Sequence, residues 1–87
     1  MVEIVVEVVM ALPRRMLLKR VALADGATVA DAIEAAQLGE DVQIDPQQLG
    51  IFGRRVPLGQ PLRDGDRVEV YRPLLLDPKE ARRRRAR

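Results

Sequence analysis

The residues of this chain that could do chemistry are mostly carboxylates and guanidiniums. Asp64 and Asp66 flank Gly65, and two carboxylates at that spacing could hold a cation or share a proton in acid–base work. Asp side chains at the same spacing, in a tight turn ahead of a strand, bond nearby backbone instead, and that is the expectation here. Glu40, Asp41 and Asp45 form a second acidic group. No neighbouring ligands complete an oxygen cage around them, so they belong to a solvated loop. Gly50 and Gly53 bracket Ile51 and Phe52, but a phosphate loop would run on into a Lys and a helix start, which are missing. Lys19, Lys79, Tyr71 and the arginines complete the inventory.

The missing residue types exclude more. Among 87 residues there is no His, Cys, Ser, Asn or Trp, and Thr28 is the only Thr. A Ser or Cys nucleophile with a His base, a His/Cys zinc site, a disulfide and a thiol redox pair are all unavailable. No catalytic, metal-binding or cofactor-binding residue is expected, and no cofactor. Zero cysteine gives no sign of an oxidising compartment. The opening residues Met1, Val2, Glu3 and Ile4 lack the basic start and apolar run of a secretory signal, and no stretch approaches the ~20 apolar residues that span a bilayer. A cytoplasmic protein without membrane insertion is the expectation.

The elements that must position these groups fit one small domain, because a chain of this length cannot fill two cores. Phe52 and Tyr71 are its only aromatics, so the core must be aliphatic. From residue 2 to residue 10 the apolar Val2, Ile4, Val6, Val8 and Met10 alternate with Glu3, Val5, Glu7 and Val9, the period of a strand. A connection through Pro13 leads to a second strand over residues 15–23, with Val21 and Leu23 inward. Turning Leu17 inward also turns Lys19 inward, which a bulge or a snorkelling lysine would relieve. Thr28 and Asp31 resemble a capping box that opens a helix through about Gln37, with Val29, Ile33 and Ala36 as its buried stripe and Gly39 as its left-handed terminator. Residues 39–47 follow as an acidic loop.

Residues 49–52 then make a short strand, residues 53–55 a turn, and residues 56–58 a further short strand that Pro57 and Pro61 hold at an edge. After the Asp64-Gly65-Asp66 turn, residues 67–72 alternate again, with Val68 and Val70 inward, Glu69 and Tyr71 outward, and Pro73 as the stop. If the first and last strands lie side by side they are parallel and central, and the helix crosses the face their valines share. The expected fold class is therefore α+β, a β-grasp (ubiquitin-like) mixed sheet of four to five strands with one helix packed across it, in the order β-β-α-β-(β)-β.

Residues 1–76 carry nine Lys/Arg against eleven Asp/Glu, and residues 77–87 carry six against two. The body is −2 and the tail +4, so the basic character belongs to the last eleven residues. The expected division is a β-grasp domain over 1–76 and a basic, flexible or partly helical tail over 77–87.

Four segments resemble the bacterial RnfH family: residues 26–33 (Gly-Ala-Thr-Val-Ala-Asp-Ala-Ile), residues 50–54 (Gly-Ile-Phe-Gly-Arg), residues 62–74 through Tyr71-Arg72-Pro73-Leu74, and residues 77–84 (Asp-Pro-Lys-Glu-Ala-Arg-Arg-Arg). The likeness covers nearly the whole chain. Its specific part is the Tyr-Arg-Pro-Leu and Asp-Pro-Lys-Glu-Ala-Arg-Arg segments, since the Asp-Gly-Asp turn also occurs in sulfur-carrier and TGS β-grasp domains. The resemblance implies a ubiquitin-like protein with no assigned catalytic activity, acting as an adaptor linked to Rnf electron-transport assembly or as the antitoxin of a two-protein stress module.

Two surfaces are candidates for binding. Val5, Val9, Met16, Leu18 and Tyr71 share the outward sheet face if these registers hold, and with Arg72 and Leu74 they would dock a larger protein partner. The competing reading has residues 74–76 fold back over that face, or a second copy bury it; the oligomeric state stays open. The tail begins with a good helix start, Asp77 as N-cap, Pro78 at N1 and Glu80 at N3. Lys79, Arg82, Arg83, Arg84 and Arg85 would give it salt-sensitive contacts to RNA or the ribosome; the competing reading is a tail that only solubilises the chain. A sulfur carrier is the least expected reading, because such relatives end in Gly-Gly and this sequence ends Arg85-Ala86-Arg87.

Overall fold

The computed structural model of the protein describes residues 2–12, 14–38, 42–71 and 73–75. The first alternating segment forms β1 (Glu3–Leu12), which pairs antiparallel with β2 (Arg15–Ala24) in unbroken register from Glu3 opposite Ala24 to Leu12 opposite Arg15. No bulge interrupts the hairpin. Lys19, opposite Val8 on the core side, instead reaches past the apolar interior and donates through Nζ to the Gln37 carbonyl at 3.4 Å. That carbonyl ends helix α1 (Val29–Ala36), whose own last turn holds no basic residue. The lysine thus places a cation where the helix dipole is negative.

Helix α1 starts as its sequence requires. Thr28 Oγ1 accepts from the Asp31 N–H at 3.4 Å, and the Asp31 carboxylate accepts from the Thr28 N–H at 2.9 Å. The free N–H groups of Val29 and Ala30 go to the carbonyls of Gln60 and Leu58, both at 3.0 Å, so the helix start is bonded to a remote loop rather than to water. Val29, Ala32 and Ala36 are buried, with Ile33 packed against the core from the side. The left-handed C-cap is Gln37, at φ +49°, and not the expected Gly39, which lies outside the described residues. Leaving the helix at Gln37 brings Leu38 against the core.

The five-stranded sheet runs β2-β1-β6-β4-β5, with β4 (Leu49–Ile51), β5 (Arg54–Arg55) and β6 (Arg67–Val70). Strands β1 and β6 are parallel and adjacent, and every other pair in this sheet is antiparallel. The expected strand at residues 56–58 is absent, and Arg54 and Arg55, expected in a turn, form the edge strand. The chain reverses one residue sooner because Phe52 and Gly53 both take positive φ, +48° and +80°, which closes a two-residue hairpin directly after Ile51. Within the expected acidic loop, β3 (Val42–Gln43) pairs antiparallel with β7 (Leu74–Leu75). The proposed tail helix, Arg72 and Leu76 lie outside the described residues.

The core is aliphatic, as the scarcity of aromatics demands. Ile4, Val6, Val8 and Met10 of β1 meet Val68 and Val70 of β6, Leu49, Leu62 and the helix stripe. Burying each large aliphatic side chain contributes about 1.5–3 kcal/mol relative to leaving it in water. The Asp64-Gly65-Asp66 turn is structural. Asp64 Oδ1 accepts the Val5 N–H at 2.7 Å, Asp66 Oδ2 accepts the Arg63 N–H at 2.9 Å, and Gly65 supplies φ +88°.

Thr28→Ala removes one half of the capping box and should lower stability by about 1 kcal/mol in urea unfolding with an unchanged denaturant slope. A midpoint that does not move would show that the Gln60 and Leu58 carbonyls hold the helix start without the cap.

Candidate interaction surface

The strand registers fix which side chains stand together on the face of the sheet away from α1. Directly opposed residues share a face. One row reads Ala22–Val5. The next is Arg20–Glu7–Arg67, and the one after it Leu18–Val9–Glu69–Gly50–Arg55. Beyond these lies Met16–Ala11. Tyr71 continues the outward side of β6 two residues past Glu69. Val5, Val9, Met16, Leu18 and Tyr71 therefore do share one face, but they do not form one apolar patch. Glu7 pairs with Arg67 at 3.3 Å and Arg20 at 3.9 Å, and this charged row separates Val5 from the rest. Such exposed pairs contribute little stability; their consequence is the shape of the apolar surface.

Val9 is 8% exposed, so it offers little to a partner, although it lies outside the core cluster on the opposite face. Beyond the charged row Met16 and Leu18 are accessible, 67% and 50% exposed, while Val5, also exposed, stands on its other side. Leu74 is described through its backbone pairing in β7; Arg72 and the tail residues Lys79, Arg82, Arg83, Arg84 and Arg85 lie outside the described residues.

Beside this patch stands a polar cluster that the sequence did not reveal. Glu69 Oε1 accepts from the Gly53 N–H at 2.6 Å and from the Tyr71 hydroxyl at 2.7 Å. The Tyr71 ring lies across Gly50, where an added Cβ would come within 2.8 Å of the ring carbons Cε2 and Cζ. Alternation marks Glu69 and Tyr71 as outward, but the need for a glycine at 50 follows only once β4 is set against β6. The hydrogen bond to Glu69, then burial, then repulsion by the same carboxylate raise the pKa of the Tyr71 hydroxyl above its ordinary 10.0, with Arg55 acting in the opposite sense.

Among the described residues no group of three or more acidic, His or Cys side chains could hold a metal ion, and no helix is long and apolar enough to cross a membrane. What the geometry defines is an open face on a mixed sheet with its first and last long strands parallel at the centre and one helix across the other side, which is the β-grasp arrangement of ubiquitin-like proteins. The family described as RnfH family Ubiquitin matches residues 4–85. Two relatives named Protein RnfH are similar to the chain. The one from Yersinia pestis (strain Pestoides F) is 53% identical over 89 aligned positions, covering 99% of this chain and 95% of the relative. The one from Neisseria meningitidis serogroup C is 54% identical over 83 positions, covering 92% and 90%. The chain belongs to the RnfH family. A solved structure from Pyrococcus furiosus, described as molybdopterin converting factor, subunit 1, superposes with a TM-score of 0.63 over 85% of this chain and 99% of its own. At 21% identity, that likeness speaks to the fold alone.

Gly50→Ala should cost about 1–3 kcal/mol, the usual penalty of overpacking, and much less in a Tyr71→Ala background. A double-mutant cycle reads the coupling, and equal costs in both backgrounds would show that the ring does not lie over residue 50. Tyr71 is the only tyrosine, so phenolate absorbance reports it alone. The folded protein should titrate above the unfolded chain, and Glu69→Gln should bring the midpoint down. Because the folded pKa is the higher one, Tyr71's contribution to stability is complete below the ordinary value and is lost as pH rises through the folded pKa. Coincident folded and unfolded titrations would mean that the bond to Glu69 is not made in solution.

Proposed function

We propose that the chain is a non-catalytic interaction module that docks a larger protein partner through the open face of its sheet, with Met16, Leu18 and Tyr71 as the principal contacts. The observation that carries this reading is the pair of large apolar side chains on adjacent positions of one face of β2, both half or more exposed. A soluble sheet that leaves one face open normally makes it polar, and contiguous apolar groups there, rimmed by charge, mark a contact surface. The rim is the Arg20–Glu7–Arg67 row on one side and the Glu69–Tyr71 pair on the other. Val9 supports the surface from beneath and is not itself a contact.

The test is retention of a stoichiometric protein from lysate at high salt by the full chain. Met16→Glu combined with Leu18→Glu should abolish it and leave thermal unfolding nearly unchanged, since exposed substitutions away from special features stay within about 0.5 kcal/mol each. Recovery of the same partner by the double variant would overturn the reading. A partner lost with salt but kept by the double variant would instead place binding on the cations Lys79, Arg82, Arg83, Arg84 and Arg85.

A further inference from the structure

The β4–β5 hairpin breaks a local rule. Its two-residue loop has positive φ at both positions, the pattern of a type I′ turn, which Asn, Asp and Gly adopt readily and a bulky side chain does not. Phe52 nevertheless takes the first position, with its side chain 66% exposed and outside both the core cluster and the residues packed against it. The phenyl ring strains the turn and adds nothing to the core. A residue that contradicts its local preference without a structural gain points to a contact made outside the chain.

Beside Phe52 is a cavity of about 400 Å³ lined by Ile51 and Val56, with Arg54, Arg63 and Asp66 among its polar groups. Ile51 is opposite Val68 and Arg54 is opposite Ile51, which puts them on the helix side of the sheet, away from Tyr71, Leu18 and Met16. Asp66 is already engaged by the Arg63 N–H. The guanidiniums of Arg54 and Arg63 have no ion pair or hydrogen bond among the described residues. Two guanidiniums against one carboxylate leave the cavity net positive, with Phe52, Ile51 and Val56 as its apolar part, which suits an apolar side chain flanked by carboxylates. The Arg-rich tail of the same chain has the wrong sign to fill it.

We propose that this cavity docks an extended acidic segment of a protein, seating one apolar side chain against Phe52 and Ile51 while Arg54 and Arg63 hold the flanking carboxylates. This surface is separate from the open face, so either can fail without the other.

The test uses the full, isotope-labelled chain and amide chemical shifts. The probes are acetylated peptides with a central leucine or phenylalanine between glutamates, a leucine peptide between lysines, and oligo-uridine RNA. The glutamate peptides should shift the amides of Phe52, Gly53, Arg54 and Arg63, and the lysine peptide should be silent. Phe52→Asn should weaken binding roughly tenfold or more and raise the urea unfolding midpoint, because Asn suits the turn. Opposite signs for binding and stability separate a contact role from a structural one. Arg54→Glu and Arg63→Glu should each weaken the same peptides. The proposal is overturned by silence from both glutamate peptides, by shifts confined to Met16, Leu18 and Tyr71, by an equal response to the lysine peptide, or by tighter binding of the RNA. A Phe52→Asn variant that binds as before, or that unfolds at lower urea, overturns it too.

Discussion

The parallel pairing of β1 with β6 is the constraint on which the remaining structure depends. It aligns Val8 with Val68 and Met10 with Val70, joining segments about sixty residues apart, and closing a loop of that length costs a few kcal/mol of chain entropy. Burial of the aligned valines and Met10 offsets that cost. The register is locked from outside the strands. Gly65 N–H donates to the Val5 carbonyl at 2.8 Å, Glu7 N–H to the Asp66 carbonyl at 3.0 Å, and Val5 N–H to the Asp64 carboxylate. Two acidic residues that could have suggested a metal site instead complete the hydrogen bonding of the central strand. A slip of one residue would turn Arg67 and Glu69 inward and expel Val68 and Val70, so no neighbouring register competes.

Both sides of the sheet inherit their chemistry from that alignment. Turning Val68 and Val70 inward sends Glu69 and Tyr71 outward, and pairing β4 with β6 then sets Gly50 opposite Glu69, beneath the tyrosine ring. Glu69 bonds the Gly53 N–H as well as Tyr71, so one carboxylate ties the open face to the β4–β5 turn. That turn carries Phe52 on the other side of the molecule. The two candidate surfaces lie on opposite sides of the sheet, Met16 and Leu18 on β2 at one edge and the cavity beside β4 and β5 at the other, and each can be altered without dismantling the pairing that supports both.

Much of this was legible in the sequence where a signal is local and repeated. The alternation of residues 2–10 and 67–71, the Thr28–Asp31 capping box and the Asp-Gly-Asp turn each announce an element within a few residues, and the fold class follows from their order. The misplaced strand at 56–58 has a clear cause, since nothing about Phe announces a left-handed residue and the usual Asn-Gly or Asp-Gly signal is missing. Strands β3 and β7 are too short to show a period. The destination of Lys19 depended on where the helix stopped, and that in turn on Leu38 reaching the core. The candidate surface was half legible: alternation places Val9, Leu18 and Tyr71 on one face, but cross-strand neighbours decide that Val9 is covered and that a charged row cuts off Val5.

The two aromatic residues sharpen the contrast between core and surface. In a domain this small the surface buried per residue is limited, and an aromatic ring is the largest single apolar contribution available. Neither Phe52 nor Tyr71 belongs to the core cluster. The interior is closed by valine, leucine, isoleucine, alanine and one methionine, whose alternation and helical spacing are enough to fill it. Both rings stand outside, one strained in a turn and one laid over a glycine, each beside arginines with a polar partner or cavity at its edge. Aromatic and arginine side chains are the types that dominate binding energy when a surface is desolvated by a partner. A fold that closes without its aromatics leaves both rings for the two candidate surfaces, Tyr71 beside the open face and Phe52 beside the cavity.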